Sequence, residues 1–247
     1  KLMDKADADQ LIQYMREFKW LPGGRYLWYG GRTARFYNNC YLLKAEEDSR
    51  EEWADLWKRA GSCLMTGGGI GIDVSMFRPK GRTLSKTGGV SSGPIPFLLA
   101  TNEIGRNVMQ GGSRQSAMYG SMNWRHEDAG DFLTVKNWSD DVKAAKAQDF
   151  NANAPLDMMN VSLNYDDAWL QDQSNPVFMQ NVKQAMMTGE PGFSFNFGVH
   201  QNETLRNACC EIVSEDDSYV CNLSSVNLAN IESIEELKDV VGLVAKF

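Results

Sequence analysis

Three of the chain's five cysteines fall within residues 207–223, in Asn207-Ala208-Cys209-Cys210-Glu211 and Tyr219-Val220-Cys221-Asn222-Leu223. If residues 207–211 are extended, Asn207, Cys209 and Glu211 share one face and Cys210 turns to the other. An amide, a thiol and a carboxylate converging on one point suit chemistry on a polyhydroxylated substrate. Asn hydrogen-bonds a hydroxyl, Glu takes a proton from one, and Cys supplies a nucleophile or a one-electron centre. The competing reading is a pair of buried thiols packed as small hydrophobes.

Composition narrows the classes. A net charge of −7 with no basic stripe argues against a nucleic-acid binder. No signal-peptide pattern opens the chain and no apolar run approaches the length of a membrane span, so a soluble cytoplasmic protein without a membrane partner is expected. Five cysteines without a CxxC pair, and two histidines, fit neither a disulfide-stapled secreted fold nor a metal site. A cysteine pair that matters here cycles its redox state. The chain starts at Lys1 and ends at Phe247 inside a helical pattern that begins near Ser233, as a piece of a longer protein would.

The elements that must position these residues follow from spacing. Leu11, Ile12, Met15 and Phe18 predict a helix over residues 4–18, stopped at Leu21-Pro22-Gly23-Gly24. The aromatic run 25–31 shows no assignable period. Residues 36–43 read as a strand carrying Asn38, Asn39 and Cys40, and Asp48-Ser49 caps a helix running to about residue 65. Gly67-Gly68-Gly69-Ile70-Gly71-Ile72-Asp73-Val74 is not a dinucleotide fingerprint, because Val74 stands at the third glycine position. Its glycines instead let the backbone pass close to a neighbour or ligand, ahead of a buried strand over 70–74. Residues 78–93 form a long loop with Arg78, Lys80, Arg82 and Lys86 among small residues, either a surface connection or an anion-binding segment. Helices are predicted over 94–110, 127–137 and 175–188, and strands over 117–123, 158–163, 193–197 and 219–228. Residues 140–153 read as a polar surface excursion. Strands separated by helical segments mean parallel pairing and an α/β class.

Taken together, Asn207-Ala208-Cys209-Cys210-Glu211 and Cys221-Asn222-Leu223, with Asn39-Cys40 far upstream, resemble the catalytic subunit of ribonucleotide reductases. Gly69-Ile70-Gly71-Ile72 with Arg78, Ser92-Gly93-Pro94-Ile95-Pro96-Phe97 and Gly111-Gly112-Ser113-Arg114 follow in the family's order. The likeness runs from about residue 21 to the end. It implies a ten-stranded α/β barrel of two five-stranded parallel halves with a central finger loop. This chain would supply a helical lead-in (1–35), the first half-barrel with effector loops (36–199), the finger (200–217) and the start of the second half (218–247). The resemblance implies that Cys209 carries a transient thiyl radical that abstracts the substrate's 3′ hydrogen. Cys40 and Cys221 would be the dithiol that reduces the 2′ carbon, Glu211 the base toward the 3′ hydroxyl, and Asn207 a hydrogen-bonding partner of the ribose. Asn39, Gly69 and Arg114 are implied substrate contacts. Cys210 stands where Gly or an aliphatic residue is commoner, and Ala208 replaces Pro or Leu.

The family also implies allosteric control by a dNTP or ATP. Asp48 (with Glu47 one residue away), Arg78 and Ser85 correspond to effector contacts, and Gly111 and Gly112 to the second specificity loop. A helix cap is the competing role for Asp48, and a solvated surface charge for Arg78 and Arg114. The stretch from Arg114-Gln115-Ser116-Ala117 to Trp124-Arg125-His126-Glu127-Asp128 looks more like the adenosylcobalamin-dependent class II enzymes. The alternatives are a class I large subunit fed by a separate radical-generating subunit, and a non-catalytic nucleotide-binding fragment. Implied partners are a ribonucleoside di- or triphosphate, a dNTP, a thioredoxin- or glutaredoxin-type reductant, and the remaining half of the catalytic subunit. A cysteine hydrolase fails for want of a base, since His126 and His200 have no recognisable partner motif.

Overall fold

The computed structural model describes residues 3–108 and 116–246. The chain opens with α1 (Lys5–Arg16), β1 (Trp20–Pro22), α2 (Gly24–Tyr29), β2 (Cys40–Lys44), α3 (Arg50–Met65) and β3 (Gly69–Asp73). It continues through α4 (Ile95–Asn107), β4 (Met118–Asn123), α5 (Ala129–Thr134), α6 (Asp140–Gln148), β5 (Met159–Tyr165), α7 (Asp167–Gln171), α8 (Pro176–Thr188) and β6 (Gly192–Phe195). Four short strands, β7 (Leu205–Arg206), β8 (Val213–Ser214), β9 (Tyr219–Cys221) and β10 (Ser224–Val226), precede α9 (Ile234–Val244). The chain divides into two compact units, Lys1–Asn39 with Asn222–Phe247, and Cys40–Cys221. No helix among the described residues is long and apolar enough to cross a membrane.

In the first unit β1 and β10 pair antiparallel, Trp20 opposite Val226 and Pro22 opposite Ser224. Leu11, Tyr14, Trp20, Val240 and Leu243 form its core. Lys19 bridges Glu17 and Glu236 beside it.

In the second unit the strand order is β6-β5-β4-β3-β2-β9. From β2 to β6 all pairs are parallel, the five-stranded half-barrel that the sequence implies. Alternate residues of these strands face opposite ways. One set (Ile70, Ile72, Met118, Met122, Met159, Val161 and Leu163) packs against Leu56 and Leu64 of α3, Phe97 and Leu98 of α4, and Phe132 of α5. Trp57 stacks on Phe97 at 5.4 Å, sealing the α3–α4 seam. The other set is polar or bare: Gly69, Gly71 and Asp73 on β3, Tyr119 and Ser121 on β4, Asn160, Ser162 and Asn164 on β5, and Ser194 on β6, with Asn196 just beyond. A parallel sheet covered by helices on both faces would read as apolar on both. Here one face is built for something other than a helix.

The unassigned aromatic run 25–31 is largely the helix α2. Several sequence expectations are corrected. The strand expected from residue 36 begins only at Cys40. Residues 140–148 of the polar excursion are a helix, capped by Ser139 and with no buried residue, which is why apolar spacing gave no sign of it. The single strand expected over 219–228 breaks at Asn222-Leu223. There the Leu223 N–H donates to Asn39 Oδ1 at 3.1 Å and its carbonyl accepts from Gly23 N–H at 2.7 Å. The first piece, β9, joins the main sheet antiparallel to β2 rather than parallel.

Candidate active site

The stretch from Asn207 to Glu211 sits at the tip of a hairpin. Leu205 of β7 lies opposite Ser214 of β8, and Arg206 opposite Val213. Between them the Asn207 N–H donates to Ile212 O at 3.3 Å, and Asn207 Oδ1 accepts from Ile212 N–H at 3.1 Å. The Cys210 N–H donates to Asn207 O at 3.0 Å, and Cys210 has φ 72°. Residues 207–210 are therefore a tight turn closed by a left-handed residue, a common hairpin loop, and not the extended segment expected. Alternation along a strand does not apply. Glycine is favoured at such a position because it has no Cβ to clash.

This hairpin lies on the polar face of the half-barrel. A Cβ on Gly71 would stand 1.6 Å from Arg206 O, and one on Gly69 2.9 Å from Ala208 Cβ and 3.1 Å from Cys40 Sγ. The glycine run is thus a bare floor for the finger, the close backbone approach that its composition implies. On the far side Asn160 Nδ2 donates to Ala208 O at 3.3 Å.

Under the turn, Cys40 of β2 is the register partner of Cys221 of β9. Directly opposed antiparallel residues have Cα atoms about 4.5–5.5 Å apart, within disulfide range. Both thiols are buried and free, clustered with Ala208. Cys209, exposed at the tip, lies near enough to the Cys40 thiol for the two to influence each other. Asn207 is fully buried, its side chain beside the Cys221 thiol, and its Nδ2 has no partner at hydrogen-bonding geometry among the described residues. Glu211 is exposed and acts on Cys209, Cys210 and Cys221 through its charge. Burial also raises the Cys210 thiol, against the nearby Arg206 guanidinium, which lowers it.

Burial, with Cys40, Glu211 and Cys209 adding to it, pushes the Cys221 thiol up to about 11. Burial and Glu211 also raise Cys209. Both hold their hydrogen at neutral pH. That state suits a hydrogen-atom donor and a two-electron reductant, and does not suit a thiolate nucleophile.

Asn39 belongs to the first unit, where its side chain accepts from Leu223 N–H. Gly111, Gly112 and Arg114 lie outside the described residues. Of the expected effector residues, Asp48, Arg78 and Ser85 line one cavity of about 180 Å³ at the N-terminus of α3 in the second unit, together with Ser49, Arg50, Glu51 and Lys86. Ser49, not Asp48, caps that helix by accepting from Glu52 N–H. Asp48 instead pairs with Arg78 Nε at 2.5 Å. Reading the sequence missed Arg206, Asn160 and the fully buried Tyr119 of β4, all on the finger's contact face. The polar residues Ser194 and Asn196 alternating with Phe193, Phe195 and Phe197 were the available signal of that face.

Comparison with known proteins agrees with this architecture. A vitamin B12-dependent ribonucleoside-diphosphate reductase of Mycobacterium tuberculosis (strain CDC 1551 / Oshkosh) is 25% identical over 97% of this chain and 37% of its own length. The ribonucleoside-diphosphate reductase large chain 2 of Saccharomyces cerevisiae is 24% identical over 81% of this chain and 28% of its own. The chain therefore spans well under half the length of these relatives. The solved class Id ribonucleotide reductase alpha subunit of Actinobacillus ureae superposes with a TM-score of 0.74 at 20% identity, covering 99% of this chain and 48% of that one. The family model for the ribonucleotide reductase barrel domain matches residues 38–175 and 172–247, and the chain belongs to that family.

Proposed function

We propose that this chain supplies one half of the catalytic barrel of a cytoplasmic ribonucleotide reductase, which converts ribonucleotides to deoxyribonucleotides by thiyl-radical chemistry. One observation carries the reading: Cys40 and Cys221 are cross-register partners directly beneath the turn that presents Cys209. In this reading a Cys209 radical takes the hydrogen from C3′ while Glu211 takes the proton from the 3′ hydroxyl. The 2′ hydroxyl leaves as water with a proton from the dithiol, and the dithiol's second hydrogen goes to C2′. Cys40 and Cys221 thereby give two electrons in all and close to a disulfide, Glu211 returns its proton to the 3′ oxygen, and Cys209 returns its hydrogen to C3′. The unpaired Asn207 amide suits a ribose hydroxyl. A thioredoxin- or glutaredoxin-type protein then reduces the disulfide.

The radical source lies outside what these residues describe. Bound adenosylcobalamin would supply a 5′-deoxyadenosyl radical. The reading places a dNTP or ATP effector's phosphates at the α3 N-terminus, where Arg50, Arg78 and Lys86 gather by the helix's positive end and Arg78 and Arg50 would exchange Asp48 and Glu51 for phosphate oxygens.

The test is a thiol count with the completed catalytic subunit, a radical source and a ribonucleotide. Two thiols lost per deoxyribonucleotide formed is expected. Effector binding by that subunit with neither product nor thiol loss would favour the non-catalytic alternative.

A further inference from the structure

The finger is held on the sheet in three ways. Its backbone rests on Gly71 of β3, and Asn160 of β5 holds the Ala208 carbonyl. The third hold is the Arg206 side chain. Its Nε donates to Ser194 Oγ at 2.7 Å and its Nη2 to Asn196 Oδ1 at 3.2 Å, at the far edge of the parallel sheet. Ser194 and Asn196 are 1% and 3% exposed, so their positions are fixed by packing. The remaining arm turns back, and Nη1 donates to the Cys210 carbonyl at 3.2 Å. All three acceptors are neutral, which leaves the guanidinium working as a three-way brace.

The carbonyl it holds belongs to the one turn residue in the left-handed region. A side chain with a Cβ is disfavoured there and relaxes unless its surroundings hold it. Rotation of that residue would swing the peptide between Cys210 and Glu211 and carry Cys209 off the cysteine pair.

We propose that Arg206 is the positioning residue of the finger tip: anchored on Ser194 and Asn196, it grips the Cys210 carbonyl, keeps Cys210 left-handed, and so holds Cys209 beside Cys40. The inference rests on Cys209 being the reacting thiol. Arg206 touches no reacting atom, and its effect passes through the turn.

Thiol geometry tests this without turnover. Iodoacetamide labelling of this chain at fixed pH, resolved by peptide mass spectrometry, gives a rate for each cysteine. Arg206→Met keeps the stem and removes every donor. Arg206→Lys keeps the charge, but its single ammonium cannot serve three spread acceptors. Cys209 labelling is expected to rise about tenfold in Arg206→Met and to an intermediate extent in Arg206→Lys. Cys63, on α3 behind the sheet, should keep its wild-type rate. Adding Cys210→Gly to Arg206→Met should bring Cys209 back toward the wild-type rate, because glycine takes the left-handed conformation unaided. An unchanged Cys209 rate in Arg206→Lys overturns the proposal, whether or not Arg206→Met folds. So does a parallel rise at Cys63, or a double variant without rescue. Each of these outcomes leaves ribonucleotide reduction itself standing, since labelling requires no catalysis.

Discussion

Replacing Gly71 with alanine should displace the finger while sparing the cysteine pair. The added Cβ falls 1.6 Å from Arg206 O and 2.8 Å from Arg206 C, both backbone atoms that no rotamer change can move. Contacts under 3.0 Å are essentially never seen, so the finger must rise by at least about 1.4 Å. β3 cannot yield instead, because Ile70 and Ile72 on its other side are fully buried in the main core. Overpacking of this kind costs about 1–3 kcal/mol, so the chain still folds. A misplacement near 1 Å costs about 100-fold in a reaction that depends on contact geometry. The assay is mild oxidation of the chain followed by disulfide mapping. In the wild type, Cys40 is expected to partition between Cys221 and Cys209. In Gly71→Ala the Cys40–Cys209 product should fall by about that factor, while Cys40–Cys221 persists because both residues sit on paired strands. An unchanged Cys40–Cys209 yield would refute the view that the glycine run sets the height of the finger.

Three further outcomes are expected. Asp157 is a buried acid whose carboxylate meets Lys146 Nζ at 2.6 Å and also pairs with Arg106. Burial alone would raise it, but hydrogen bonds from Arg106, Lys146 and Asn102 bring it down to about 2. Its contribution to stability is therefore present above its unfolded value near 3.8 and lost as the pH falls toward 2. Asp157→Asn should cost about 3 kcal/mol in urea unfolding at pH 7, by leaving Lys146 without its carboxylate and Arg106 with Glu103 alone. Cys221 has the opposite linkage: the folded state keeps its proton up to about 11 against an ordinary thiol value of 9.0, so stability should decline between those values, and below pH 9 the thiol should alkylate about 100-fold more slowly than an unperturbed one. Arg78→Ala should weaken dATP or dTTP binding at least about tenfold in equilibrium titrations, and equal affinity would remove Arg78 from the effector cavity.

Much of the architecture was legible because it rests on local pattern. The α3 start was readable from Ser49, and the parallel α/β alternation from apolar runs such as Ile70-Gly71-Ile72 separated by helical segments. The glycine floor was readable as a close approach, although what approached was fixed only by the fold. The features that escaped depend on contacts distant in sequence. α6 carries no buried face, so its helix has no periodic signature. The break between β9 and β10 is made by Asn39 and Gly23, far away in the chain. Asn207, Cys209 and Glu211 were grouped by assuming a strand, whereas a turn groups them. Arg206 had no signal in the sequence, because its partners Ser194 and Asn196 are identified only by packing.

The most direct measurement of the central claim is a single turnover of the completed catalytic subunit without external reductant, followed by disulfide mapping. Formation of a Cys40–Cys221 disulfide in step with the deoxyribonucleotide, absent when the ribonucleotide is omitted and abolished by Cys209→Ser, is the expected result. Deoxyribonucleotide formed while Cys40 and Cys221 remain reduced would contradict it.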